Sequence, residues 1–365
     1  MEILKVLVVD DTIVYRKIVG DVLKAIPGVE VVGTANNGKI ALSKINTLKP
    51  DLLTLDIEMP EMSGIEVLQE LKKHPSPPGV IMLSTLTQEG SEMTIKALEL
   101  GAFDFVPKPD AGTMADNMLK VKQAIEPIVS ALKRQKSTRI NLRHKILSPP
   151  IKRAEPRYPA PTDIKIQHSR IKTKSEIVGI GISTGGPNAL TRMIPMLPGN
   201  FKAPILIVQH MPPMFTASLA NSLNKKSQLT VKEAEDGDLI IPGRVLIAPG
   251  GRQMKIVAGQ DGLSRKIKIT DDPPENSCKP SVDYLFRSIA QHYVGRATGV
   301  IMTGMGSDGS KGLAQMKKNG SYVIAQDEAS CTVFGMPKAP IESGIVDVIA
   351  PLDKIADEIL KTVIS

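Results

Sequence analysis

The chain has 365 residues, 42% of them hydrophobic, and a formal net charge of +8. That length suits two or three domains, and no apolar run approaches the roughly 18 residues of a membrane span. Two cysteines, Cys278 and Cys331, make neither a disulfide framework nor a metal-ligand set, so both read as packing residues in a reducing cytoplasm.

The N-terminus, MEILKVLVVDD, reads as a strand running into acids and not as a signal peptide. The strand at Lys5–Asp10 leads to a helical pattern over Thr12–Ile26, stopped by Pro27-Gly28. Strands then fall at Val29–Ala35, Leu52–Asp56, Val80–Thr85 and Phe103–Pro107. Helices alternate with them at Gly38–Leu48, Gly64–Lys73, Glu89–Leu100 and from about Thr113. Five strands with intervening helices predict a parallel, doubly wound sheet over residues 1–125. Sites in such sheets lie at the carboxyl ends of the strands.

The polar residues cluster at those ends. Asp10 and Asp11 close the first strand, Asp56 the third and Thr85 the fourth, and Lys108 follows the fifth. Three converging carboxylates repel one another, which a hard cation such as Mg²⁺ relieves. One carboxylate can then accept a phosphoryl group held by the cation and the lysine. On Asp10-Asp11, Asp56, Met59-Pro60, Gly64, Thr85 and Lys108-Pro109 this half resembles the receiver domain of response regulators. The resemblance implies phosphorylation of Asp56, and Mg²⁺ held by Asp10, Asp11, Asp56 and the Glu58 backbone carbonyl. It implies a phosphoryl switch at Thr85 and Lys108.

Residues 126–175 read as the end of a helix followed by a basic, proline-containing linker. Residues 134–175 hold twelve Lys and Arg against Glu155 and Asp163, a local +10 that leaves −2 for the rest of the chain. A basic tail can bind nucleic acid or an acidic membrane surface. Tyr158 is its one aromatic residue for base stacking, and a solvated spacer is the simpler reading.

In residues 176–365 strands alternate with helices again. Strands are predicted at Ile177–Ile182, Ala203–Gln209, Leu229–Glu233, Arg244–Ala248, Thr298–Thr303 and Tyr322–Ala325. Met254–Val257 and Ser264–Ile269 suit a hairpin, and helices follow Pro187, Pro213, Pro280, Asp308, Gly335 and Pro351. This is a second, largely parallel α/β sheet with an antiparallel hairpin. Gly181-Ile-Ser183-Thr-Gly185 fits the strand-turn-helix nucleophile pattern, although a phosphate loop or a tight turn fits it too. His210 and Asp308 stand at the ends of two further strands. Ser183, His210 and Asp308 can therefore form a nucleophile, base and orienting acid. The alternatives are a turn histidine and a helix-capping aspartate. The order Ser…His…Asp differs from that of α/β-hydrolases.

Gly181–Pro187, Gln209–Pro212, Pro249–Gly251, Lys279–Asp283 and Thr303–Gly309 are similar to the chemotaxis protein-glutamate methylesterases (CheB type). That resemblance implies Ser183 as nucleophile, His210 as base and Asp308 as orienting acid, with Thr184 and the Met305 backbone N–H in the active site. It implies a phosphorylation-activated serine esterase that demethylates glutamate methyl esters, and deamidates selected glutamines, on chemoreceptors. A chemotaxis histidine kinase would be the phosphodonor. Mg²⁺ would serve only the receiver, with no cofactor for ester hydrolysis, no DNA partner, no membrane insertion and a cytoplasmic site of action. A DNA-binding regulator and a nucleotide-binding output domain are the competing classes; the first has no helix-turn-helix reading or basic folded surface to support it, and the second predicts saturable nucleotide binding at the Ser183 loop.

Overall fold

The computed structural model describes residues 3–109, 112–147 and 174–363. The first sheet is built from β1 (Leu4–Val9), β2 (Val29–Ala35), β3 (Leu52–Asp56), β4 (Gly79–Ser84) and β5 (Asp104–Pro107). All are parallel, in the order β2-β1-β3-β4-β5. Its central strands are near-continuous apolar runs because helices cover both faces; every residue of β3 is buried. The helices are α1 (Ile13–Lys24), α2 (Gly38–Leu48), α3 (Gly64–Leu71), α4 (Gln88–Glu99) and α5 (Met114–Leu147). Asn37 caps α2, Thr87 caps α4, and Ser63 and Glu66 form a reciprocal capping box on α3. A Cβ at Gly64 would stand 2.1 Å from the Asp56 carbonyl oxygen. Only glycine lets α3 begin so close behind that aspartate.

Helix α5 runs through Leu147, so residues 134–147, which composition assigns to the linker, are helical. The first proline that can stop the helix there is Pro149. Until then Lys, Arg, Gln and Leu favour helix. The rest of the expected linker, residues 148–173, lies outside the described residues.

The second sheet has seven parallel strands in the order β14-β13-β12-β6-β7-β9-β8. In chain order they are β6 (Ile177–Ile182), β7 (Ile205–Gln209), β8 (Thr230–Glu233), β9 (Arg244–Ile247), β12 (Ala297–Ile301), β13 (Tyr322–Gln326) and β14 (Val348–Ala350). The antiparallel hairpin is β10 (Gln253–Ala258) with β11 (Arg265–Thr270). Helices α6 (Gly186–Met193), α7 (Phe215–Lys226), α8 (Val282–His292), α9 (Ser310–Lys318), α10 (Lys338–Glu342) and α11 (Leu352–Val363) complete the domain. Strand β14 was not expected; three residues are too few to leave a periodic signal.

One contiguous cluster of buried apolar side chains extends from the first sheet into the second. At the junction α4 packs on α7, and Phe105 stacks on Phe215 with ring centroids 4.6 Å apart. Ser91 and Ser218 hydroxyls meet at 2.7 Å, Lys226 pairs with Glu99, and Asn188 Nδ2 donates to the Ala102 carbonyl.

Candidate active site

At the first sheet's carboxyl edge, Asp10 and Asp56 are buried and Asp11 is exposed. An oxygen from each lies within 4.8 Å of the other two. Lys108 Nζ stands 2.8 Å from Asp10 and 2.7 Å from Asp56. Burial pushes the Asp56 carboxyl up to about 6; Lys108 opposes the rise and Asp10 adds to it. Burial disfavours the Lys108 ammonium, but Asp56 and Asp10 hold its pKa above the usual value. Three carboxylates against one ammonium leave an excess of negative, hard oxygen donors, a set that fits Mg²⁺. Glu58 is exposed two residues beyond Asp56. Thr85 Oγ1 meets Thr87 Oγ1 at 3.3 Å and makes no hydrogen bond to Asp56.

The second site lies where β6, β7 and β12 end side by side. Sheet pairing continues past the strands: Ser183 N–H donates to the Thr303 carbonyl, and His210 N–H to the Ile182 carbonyl. These bonds fix the two loops relative to each other. Gln209 Nε2 donates to the Ser183 carbonyl and Thr303 Oγ1 to that of Thr184. A Cβ at Gly304 would lie 2.7 Å from the Ser183 Cβ, so glycine is what admits the serine there.

His210 Nε2 is 2.9 Å from Asp308 Oδ2. An ionised carboxylate only accepts, so Nε2 carries the proton. Asp308 is not the cap of α9, a role held by Gly309 without a side-chain bond. Its carboxylate sits instead at the N-terminus of α8. Oδ2 also accepts from Val282 N–H, and Oδ1 accepts from Asn276 Nδ2, Ser281 Oγ and Asp283 N–H. Burial works against the Asp308 charge, but the bond and charge of His210 and the Val282 N–H bring its pKa down to about 2. Burial likewise disfavours the imidazolium, yet Asp308 and then Cys278 carry His210 up to about 9.

Ser183 is half-buried, and its Oγ hydrogen-bonds to no described residue, His210 included. The other imidazole nitrogen, Nδ1, faces Cys278 Sγ at 3.8 Å. Cys278 is therefore not the plain packing residue expected, whereas Cys331 is buried. The backbone N–H groups of Thr184 and Met305 donate to no described residue. Asn276 escaped the sequence reading, and Ser281 entered it only within Lys279–Asp283, with no role of its own. The one available signal was Ser281 at a helix start, since the fold alone brings that start to Asp308.

A cavity of about 250 Å³ separates this site from the first domain. Asp104, Phe105 and Pro127 line it from one side, and Ser183, His210 and Met305 from the other. Asp104 is buried, and its carboxyl accepts from Phe105 N–H and faces Gly185 N–H, two residues beyond Ser183. Burial pushes its pKa up to about 7 in spite of those two donors.

Residues 178–359 match the family model for the CheB methylesterase, and residues 6–118 that for the response regulator receiver domain. A protein-glutamate methylesterase/protein-glutamine glutaminase of Desulfotalea psychrophila is 59% identical over 364 residues, covering 100% of this chain and 99% of that one. The Bacillus subtilis protein of that name is 43% identical, with 99% and 98% covered. The crystal structure of the Thermotoga maritima CheB methylesterase catalytic domain is 46% identical with a TM-score of 0.50, covering 52% of this chain and 99% of that one. The chain thus belongs to the protein-glutamate methylesterase/protein-glutamine glutaminase family, a receiver joined to a CheB-type methylesterase domain.

Proposed function

We propose that this chain is a phosphorylation-controlled serine esterase that removes methyl groups from glutamate γ-esters of chemoreceptors and deamidates selected receptor glutamines. The observation that carries the reading is the His210–Asp308 pair beside Ser183, with two unengaged backbone N–H donors in the same cleft. In the proposed mechanism Ser183 Oγ turns toward His210 Nδ1 and gives up its proton there as it attacks the ester carbonyl. Asp308 holds Nε2–H, which fixes the tautomer and stabilises the imidazolium. The Thr184 and Met305 N–H groups receive the oxyanion. Methanol, or ammonia from a glutamine, leaves with the proton from Nδ1. Water then attacks the acyl-serine, again with His210 as base, and releases the glutamate carboxylate. This sequence calls for no metal.

Control is assigned to the receiver. Asp56 would take the phosphoryl group from a chemotaxis histidine kinase, with Asp10, Asp11, Asp56 and the Glu58 carbonyl holding Mg²⁺. That cation would supply charge neutralisation at the phosphoryl oxygens. Lys108 and Thr85 would bind the phosphoryl group, which calls for Thr85 Oγ1 to leave Thr87. The packing of α4 on α7 closes the cleft at rest, and phosphorylation shifts the population toward an undocked arrangement. The domains would be the receiver at 1–125, the connection at 126–175 and the catalytic domain at 176–365, a division supported by the family-model spans. No described helix is long and apolar enough to cross a membrane; the proposed site of action is at receptor cytoplasmic helices.

The test is methanol release from methylated receptor membranes, with and without a small phosphodonor and Mg²⁺. Release should rise with phosphodonor and vanish in Ser183→Ala while Asp56 still becomes phosphorylated. Hydrolysis retained in that variant would remove Ser183 from the mechanism.

A further inference from the structure

Three lone-pair donors converge beside His210. With Nε2–H given to Asp308, the neutral imidazole carries its lone pair on Nδ1. Cys278 Sγ lies 3.8 Å from that nitrogen and 3.5 Å from the Asn276 carbonyl oxygen. One S–H proton faces two acceptors. A cation between the donors removes the conflict.

Size and chemistry select the cation. Bonds of about 2.3 Å to sulfur and about 2.0 Å to imidazole set those donors about 3.5 Å apart on a tetrahedron around Zn²⁺. The observed 3.8 Å needs only a small closing movement. A thiolate and an imidazole exclude Mg²⁺, which keeps to oxygen. A ring nitrogen of His210, Cys278 Sγ and an Asp308 oxygen lie within 4.8 Å of one another. Both Asp308 oxygens are already engaged by five donors. Asp308 would therefore serve the cation from behind, orienting the imidazole as carboxylates do in zinc proteins. Cys278 and His210 are only partly buried, so the remaining positions open to water.

We infer that His210 and Cys278, with the Asn276 carbonyl beside them, form an inhibitory site for a thiophilic divalent cation, for which Zn²⁺ is the probe. Inhibition rests on the esterase reading, because the cation takes the Nδ1 lone pair that would accept the Ser183 proton. Binding itself does not rest on it. Zinc binding displaces the thiol proton, together with any proton on His210 Nδ1, to solvent and involves no redox step.

Two measurements on the full-length chain keep the inferences apart. In saturating Mg²⁺, Co²⁺ titration should develop a thiolate-to-metal charge-transfer band. Cys278→Ser should abolish the band, and Asp308→Asn should weaken Co²⁺ affinity by about tenfold or more. In the second, methanol release is measured with Zn²⁺, then with a chelator added. The ratio of rates with and without Zn²⁺ should fall, recover on chelation, and respond at least about tenfold less sensitively in Cys278→Ser. A band that persists in Cys278→Ser, or equal Zn²⁺ sensitivity of the two proteins, overturns the site. A normal band with no hydrolysis under any condition sinks the esterase reading and leaves the metal site standing.

Discussion

Replacing Asp308 by asparagine keeps the shape of the orienting group and removes its charge. The imidazole rises from 6.5 to about 9, which corresponds to about 3 kcal/mol in favour of the imidazolium. Asp308 ranks ahead of Cys278 among the groups that raise it. The two carboxylate oxygens accept from five donors, so an amide cannot satisfy them all. Its oxygen best faces His210 and Val282, with its NH₂ turned toward Asn276 and Ser281, which can reverse their roles. The imidazole would keep its hydrogen bond and lose the charge that stabilises its protonated form. A loss of about 3 kcal/mol in the transition state is roughly a hundredfold in rate. The variant's base is free at lower pH, so the deficit should be greatest near pH 9 and shrink toward neutrality. The assay is methanol release across that range, with and without phosphodonor. A deficit that is uniform with pH, or an unmoved inflection, would refute the charge argument. Stimulation by phosphodonor should survive, because the change lies outside the docking surface.

Three further outcomes test the regulatory half. Asp56→Asn should keep the basal rate and lose phosphodonor stimulation; stimulation that survives rules out control through Asp56. Phe105→Ala removes the stack on Phe215 and should cost about 2 kcal/mol of docking, raising the unphosphorylated rate toward the stimulated one. An unchanged basal rate in a folded protein, checked by circular dichroism, would mean that this contact does not hold the cleft closed. Asp104 has its docked pKa raised to about 7, so docking favours the neutral acid. Closure should tighten as pH falls below that value toward the ordinary 3.8 and change little above it. The ratio of basal to stimulated rate should therefore climb between about pH 4 and 7, level off above that, and be flat in Asp104→Asn; a slope retained in the variant excludes Asp104 as its source.

The alternation of apolar runs with helical periods made both sheets legible, because parallel strands buried on two faces are nearly all apolar. The residues at strand ends were legible for the same reason: topology sends them to one edge. Asp10, Asp56 and Lys108 meet there as expected. What sequence could not give is side-chain direction. His210 turns one nitrogen to Asp308 and the other to Cys278, leaving Ser183 Oγ without a hydrogen-bond partner among the described residues. Nor could composition reveal that helix α5 continues into the basic segment, since charged residues are good helix formers when no proline intervenes. The contacts of α4 with α7 were invisible too, because buried serines such as Ser91 and Ser218 carry no pattern of their own.

The apolar cluster that runs unbroken between the two sheets has a thermodynamic consequence. Domains that share a core do not melt independently. Heating the resting protein should give a single calorimetric transition whose van't Hoff and calorimetric enthalpies agree. Stable phosphorylation would uncouple the halves and split the endotherm in two, so the receiver's chemical state would be readable as a change in cooperativity without any substrate present.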